Sequence, residues 1–156
     1  ESCWFDPCGQ CERMKSYKFL EDIAIADVAF EAKGDSLEEV FIAAAEAVFE
    51  TNAEIKTVGD SFTHEFKLEN KDLEKLFYDF LEEIVYIKDK DGVVFSKSEV
   101  KIEEIEDVFK LNSKFYGEKI NQEKHELNVD VKAITLHEFS LKKEGNNYVA
   151  KVIVDI

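Results

Sequence analysis

The sequence predicts an α+β domain of mostly antiparallel sheet packed with two helices. Three observations carry this: two amphipathic helical stripes with start signals, several stretches of period-2 alternation, and a length that fits one domain. The chain has 156 residues, and ~100–200 residues is the usual span of a single domain. It is 45% hydrophobic and 35% charged, with 13 Phe. A chain of this size buries roughly 70% of its unfolded surface, enough for a core without disulfides. Strands interspersed with two helices point to layered α+β packing.

Each element has its own justification. The segment from Ala24 to Ala32 alternates loosely and reads as a strand that stops at Gly34. Ser36-Leu37-Glu38-Glu39 is a capping box, in which the Ser hydroxyl and the Glu carboxylate satisfy orphan backbone N–H groups. Leu37, Val40, Phe41, Ala44 and Val48 then share one helical face. From Ser61 to Glu69, Phe62, His64, Phe66 and Leu68 alternate with polar neighbours as a half-buried strand. Asn70 is the expected cap of a second helix with the stripe Leu73, Leu76, Phe77, Phe80, Leu81, Ile84 and Val85. Asp91-Gly92 signals a turn, and Val93–Ile105 and Val108–Ile120 read as strands joined tightly at Glu106-Asp107. A polar loop follows over Asn121–Asn128. The last pair, Val131–Lys142 and Tyr148–Ile156, reads as a hairpin around Glu144-Gly145-Asn146-Asn147. The acidic helix faces are expected to be solvated.

Charge excludes several function classes. Twenty Lys and Arg against 35 Asp and Glu give a net charge of −15. Binding to a phosphate backbone relies on cations that displace condensed counterions, so direct RNA binding is disfavoured. Anionic membranes are disfavoured for the same reason, and no apolar run approaches the ~20 residues that cross a bilayer. There is no glycine-rich phosphate loop, no nucleophile elbow and no His-Glu-x-x-His, and the three His stand apart at 64, 125 and 137.

Residues 1–13 differ from the rest. They hold Cys3, Cys8 and Cys11, together with the sole Trp, Pro and Arg, and they precede the sole Met, Met14. They lack the apolar core of a secretory signal and are read as an extension ahead of a domain spanning 14–156. Cys8 and Cys11 have the spacing of half a zinc site, but a tetrahedral site needs four ligands. With the extension set aside no Cys remains, in keeping with a reducing cytosol.

Three segments then carry a resemblance: Ile25-Ala26-Asp27-Val28 ahead of Gly34 and the capped helix; Gly117-Glu118, His125 and Asp130-Val131-Lys132-Ala133-Ile134-Thr135-Leu136-His137; and the closing Val152-Ile153-Val154-Asp155-Ile156. Together, over about Tyr17 to Ile156, they resemble the archease family. The resemblance implies a strand–helix–strand–strand module with an α/β insertion. It implies a cytoplasmic activator of the GTP-dependent tRNA-splicing RNA ligase, which promotes ligase guanylylation and repeated turnover. A link to a tRNA methyltransferase is also attached to the family. It further implies a divalent-metal site (Ca, Mg or Mn) that maps onto Asp27 and Asp155. The family's His ahead of the helix is absent, since Ala24 stands where it would fall, and Asp22 is the nearest substitute.

The chemistry of these residues can be weighed without the resemblance. Hard cations take carboxylate and carbonyl oxygens, and the α-carboxylate of Ile156 adjoins Asp155 in sequence. Three converging negative groups would repel one another without a counter-charge. On a regular strand Lys132 shares a face with Ile134 and Leu136, and His137 falls on the opposite face with Val131, Ala133 and Thr135. His137 is therefore expected to be a half-buried, satisfied histidine. Lys132 is expected to offset the acidic cluster, to touch the partner's nucleotide site, or simply to lie on the surface. Glu118 is expected to offer a further carboxylate, and His125 to be solvated. Asp130, in the same segment, is not an expected ligand. These features fit a protein-binding activator that reaches RNA only through its partner. A metal-dependent hydrolase or phosphotransferase working alone is the alternative, and a module without catalysis or ligase partner is the third reading.

Overall fold

The computed structural model describes residues 16–20 and 27–156. The extension with its cysteines, Asp22 and the start of the expected Ala24–Ala32 strand lie outside the described residues. Among the described residues, eight strands and two α-helices follow one another as β1 (Ser16–Leu20), β2 (Asp27–Gly34), α1 (Leu37–Asn52), β3 (Phe62–Asn70), α2 (Leu73–Asp91), β4 (Val93–Ile105), β5 (Val108–Lys119), β6 (Ala133–Ile134), β7 (Ser140–Glu144) and β8 (Asn147–Asp155), with a short 3-10 turn at Ile55–Thr57. The strands form two antiparallel sheets. The larger has the order β1-β2-β8-β6 with β7 also on β8, and the smaller has the order β3-β5-β4. Among the described residues no helix is long and apolar enough to cross a membrane.

Helix α1 packs against β2 of the larger sheet and β4 of the smaller one. Four of its ten buried positions are alanines, Ala43, Ala44, Ala45 and Ala47, which leave little side chain between helix and sheets. Phenylalanines fill the remaining space. Phe41 meets Phe77 and Phe80, and Phe115 meets Phe49, Phe66, Phe80 and Phe95, with ring centroids 4.9–5.6 Å apart, the separation favoured by edge and tilted aromatic pairs.

The helix starts follow the sequence in kind and shift in detail. Ser36 Oγ accepts the Glu39 N–H at 3.2 Å, while the Glu39 carboxylate accepts from Asp35 N–H, one residue before the cap. Helix α2 is capped by Asp72, not by the expected Asn70. Asp72 Oδ1 accepts from the N–H groups of Glu74 and Lys75, and Asn70 instead receives the Asp72 N–H. Gly92 ends α2 at φ +64, a left-handed position where glycine pays no Cβ penalty. Glu106 and Asp107 both take positive φ, 52 and 67, as the two-residue turn between β4 and β5 requires.

Two expectations are corrected. Strand β1 was not anticipated; its Tyr17 and Phe19 alternate over only five residues. The expected strand Val131–Lys142 is broken into β6 and β7. Thr135 satisfies both its N–H and its hydroxyl on the Ile153 carbonyl, Phe139 N–H turns back to Leu136 O, and Glu138 sits at φ +53. The chain leaves the ladder there to make a turn. Nor are all the acidic helix positions simply solvated. Glu38 accepts from Ile102 N–H on β4, Glu82 from Ile134 N–H on β6 and Glu74 from Leu141 N–H on β7. Backbone groups without a ladder partner need another acceptor, and helix carboxylates supply it.

Candidate functional site

Strands β2 and β8 run antiparallel with Asp27 opposite Asp155, and β6 extends the same row with Ala133 opposite Asp155. Core-facing residues on these strands are Val28, Phe30 and Ala32, and Ala150, Val152 and Val154. By the period of two, Asp27 and Asp155 therefore project together from the other face. Both are half-buried. Directly opposed residues of an antiparallel pair have Cβ atoms about 4.5–5.5 Å apart, and like charges there are destabilising. The same face carries the Lys18–Glu31 pair at 3.9 Å, Lys151 opposite Glu31, and the Lys151–Glu138 pair at 2.6 Å. Opposite charges thus meet at the Glu31–Lys151 step, the Ala29–Ile153 step between is apolar and buried, and like charges meet at Asp27–Asp155.

Lys132 donates its backbone N–H to the Asp155 carbonyl at 2.8 Å, which fixes the chain beside the acidic pair, while its side chain is exposed. Ile156 is half-buried and packs against the core. The donors gathered here are all oxygen, the set a hard divalent cation prefers. Among the described residues, however, no group of three or more His, Cys, Asp or Glu side chains is placed to hold a metal. The residues fit such a cation as a pair of carboxylates, not as a complete cage.

His137 does not behave as expected. Its side chain is 75% exposed, beside Glu138 at 3.5 Å, because it belongs to the turn after β6 and not to a strand. The facing argument for Lys132 fails for the same reason: Ile134 is buried whereas Lys132 and Leu136 are exposed.

Glu118 and His125 form a separate cluster. The Glu118 carboxylate accepts Gly59 N–H at 2.7 Å, Lys124 Nζ at 2.6 Å and His125 Nε2 at 2.9 Å. Far from being solvated, His125 is 4% exposed. Asn121 N–H donates to its Nδ1, so Nε2 carries the hydrogen that goes to Glu118. Hydrogen bonds from His125, then Lys124, then Gly59 hold the Glu118 carboxyl down at about 2. None of these partners is an expected site residue, so Glu118 serves here to pin the loop after β5. The sequence signal was thin: an Asn and a His four residues apart, which bond reciprocally through Asn121 N–H to Nδ1 and His125 N–H to Asn121 O.

Two further charged groups were not foreseen. Lys88 is only 6% exposed and bonds Asp89 and Asp130. Burial pulls its ammonium down, but hydrogen bonds to Asp130 and Asp89 outweigh that and raise it. At the end of α1, burial, a hydrogen bond to Glu54 and the Glu54 charge push the Glu50 carboxyl up to about 7.

A small α+β protein with a helix held between two antiparallel sheets, and a paired-carboxylate step on the outer face of one, is the class that this architecture defines. The sequence profile described as the Archease protein family (MTH1598/TM1083) matches residues 17–156. The chain belongs to the archease family. It is 42% identical over 144 residues to the protein archease of Pyrococcus abyssi, covering 92% of this chain and 100% of that one. To the protein archease of Methanothermobacter thermautotrophicus it is 36% identical over 143 residues, covering 92% and 100%. The solution structure of Methanobacterium thermoautotrophicum protein 1598 superposes with a TM-score of 0.79 at 36% identity, over 90% of this chain and 98% of that one. The crystal structure of a Thermotoga maritima archease, described as a possible chaperone, shares the fold with a TM-score of 0.59 at 21% identity, over 88% and 97%.

Proposed function

We propose that this protein is a cytoplasmic, non-enzymatic activator of the GTP-dependent tRNA-splicing RNA ligase, promoting ligase guanylylation and multiple turnover. The observation that supports this most directly is the register of Asp27 against Asp155, within a chain of the archease family. A bound Ca²⁺, Mg²⁺ or Mn²⁺ would supply positive charge against the phosphate charge that grows during guanylyl transfer. The chain's own residues have defined parts in this reading. Asp27 and Asp155 present their carboxylates from adjacent strands, and the Lys132 N–H holds the Asp155 backbone in place. Asp22 is a further candidate ligand.

A net charge of −15 suits encounter with a basic RNA-binding enzyme, because complementary charge accelerates association. It also keeps RNA itself at a distance, so RNA is reached only through the partner.

The test is RNA joining by limiting ligase, with and without this protein, and by this protein alone. Stimulated multiple turnover is the expected result. Product formed by the protein alone would support a metal-dependent hydrolase or phosphotransferase instead. No effect on joining would discard the activator role in favour of a structural or small-ligand module without catalysis or a ligase partner.

A further inference from the structure

Between β5 and β6 the chain from Glu126 to Lys132 lies outside any strand, apart from a bridge of Leu127 to Ala53, and its Leu127 and Val129 side chains are exposed. Two helix ends grip it instead. The last three carbonyls of α1, which no further helical turn can satisfy, are taken by this segment. Asn128 Nδ2 donates to Glu50 O at 2.8 Å, Val129 N–H to Thr51 O at 3.0 Å and Asn128 N–H to Asn52 O at 2.9 Å. The Asn52 side chain, 7% exposed, then accepts Val131 N–H through Oδ1 at 3.0 Å. From the last turn of α2 the buried Lys88 ammonium reaches Asp130. Directly beyond this grip come Lys132, whose N–H bonds the Asp155 carbonyl, and Ala133, the ladder partner of Asp155.

Asp155 depends on that support. It is the last residue of β8, and chain ends fray unless something ties them down. On one side it faces Asp27, whose like charge repels it; on the other it has residues 132 and 133. Stability alone does not account for Lys88. Taking an ammonium out of water is costly, and an apolar side chain of similar size in its place is often as stable or more so. Both carboxylates on Lys88 are solvent-exposed, so neither would be left buried without a partner.

We propose that Lys88 is a positioning residue for the paired carboxylates: it fixes Asp130, and through the Lys132 N–H the fixed segment holds Asp155 in register to share a divalent cation with Asp27. The inference rests on the activator reading above and adds the support on which its cation site depends. What Lys88 contributes is placement of a neighbouring chain, and it touches no ligand itself.

The experiment measures binding of Ca²⁺, Mg²⁺ and Mn²⁺ by calorimetry, and stability by urea melts, on the full chain. The variants are Lys88→Met, Lys88→Met with Asp130→Ala, and Glu83→Gln. The double variant leaves no buried charge and is expected to be as stable as the parent. It should nevertheless bind the cation about tenfold more weakly, the low end of what lost support around a metal ligand costs, and Lys88→Met alone should do the same. With no cation present, the Lys132 amide hydrogen should exchange faster in both. Glu83→Gln breaks the half-buried pair that the same helix makes with His64 and should keep the parent's cation affinity. Parent-like affinity in the double variant overturns the positioning role and leaves the metal and activator readings standing. An equal loss of affinity in Glu83→Gln also overturns it, because the effect would then follow a general loosening of α2. A parent that binds none of the three cations overturns the metal reading, and the positioning role with it.

Discussion

Asp27 on β2 and Asp155 on β8 are direct cross-strand partners on the face away from the core. Two carboxylates in that relation repel, so the metal-free fold carries a local cost that either substitution removes. Asp27→Asn and Asp155→Asn are each expected to raise stability without divalent ions by about 0.5–1 kcal/mol. Each should also abolish the cation-induced rise in melting temperature, which for the parent at a hundred times the dissociation constant corresponds to about 2.7 kcal/mol. Melting curves with and without Ca²⁺, Mg²⁺ and Mn²⁺ provide the check. A parent indifferent to all three at millimolar concentration would sink the metal reading.

The Glu118 cluster predicts an acid-side slope. Its carboxyl titrates at about 2 in the folded chain, against 4.5 ordinarily. Because the folded value is depressed, the stability it contributes is whole above pH 4.5 and drains away as pH falls toward 2. Glu118→Gln should flatten the pH dependence of denaturant midpoints across that window. His125→Ala, which deletes a buried hydrogen-bonded ring, should cost about 1–3 kcal/mol at neutral pH. If its midpoint matches the parent's, the loop is held by something else.

Asp130 is not silent, although its sequence position marks it as a bystander beside Lys132. It pairs with buried Lys88 across from α2. Asp130→Ala should destabilise by about 1–2 kcal/mol, less than a fully orphaned buried cation would, because Asp89 still pairs with Lys88. Urea melts of Asp130→Ala and Lys88→Met together would show the loss recovered in the double variant, where no buried charge is left alone. Additive losses would refute the pairing.

Gly117 is required by space. A Cβ there would stand 2.1 Å from the Val94 carbonyl oxygen on the neighbouring strand, near the bulge between Phe95 and Lys97. Backbone must move to admit it, so Gly117→Ala is expected to cost about 2–3 kcal/mol. For a chain of this length that lowers the melting temperature by roughly 4–12 °C. A variant melting with the parent would show the two strands to be looser than drawn.

The β4–β5 turn offers the opposite test. Glu106 and Asp107 hold left-handed backbone at φ 52 and 67, where Asn and Gly are at ease. Glu106→Asn with Asp107→Gly should add about 1 kcal/mol of stability by relieving that strain. A calorimetric melting point unchanged or lowered would count against the turn geometry.

By itself the sequence determined what depends on neighbours along the chain. The stripe from Leu73 to Val85 made α2, Ser36 and Glu39 opened α1, and the pattern around Glu106-Asp107 made one hairpin, because helical and strand periods and turn conformations are local properties. It also marked Asp27 and Asp155 as a pair, though only through resemblance to a family. Tertiary structure alone decided the rest. Register set Asp27 against Asp155 and matched Glu31 with Lys151. A return to the Ile153 carbonyl broke the expected last hairpin and turned Leu136 and His137 outward. The fold also buried His125 on Glu118 and Lys88 on Asp130, residues that composition assigns to the surface. The physical reason is common to these cases. A polar group is buried, or an apolar one exposed, according to the partners that reach it from distant segments, and no local pattern encodes those partners.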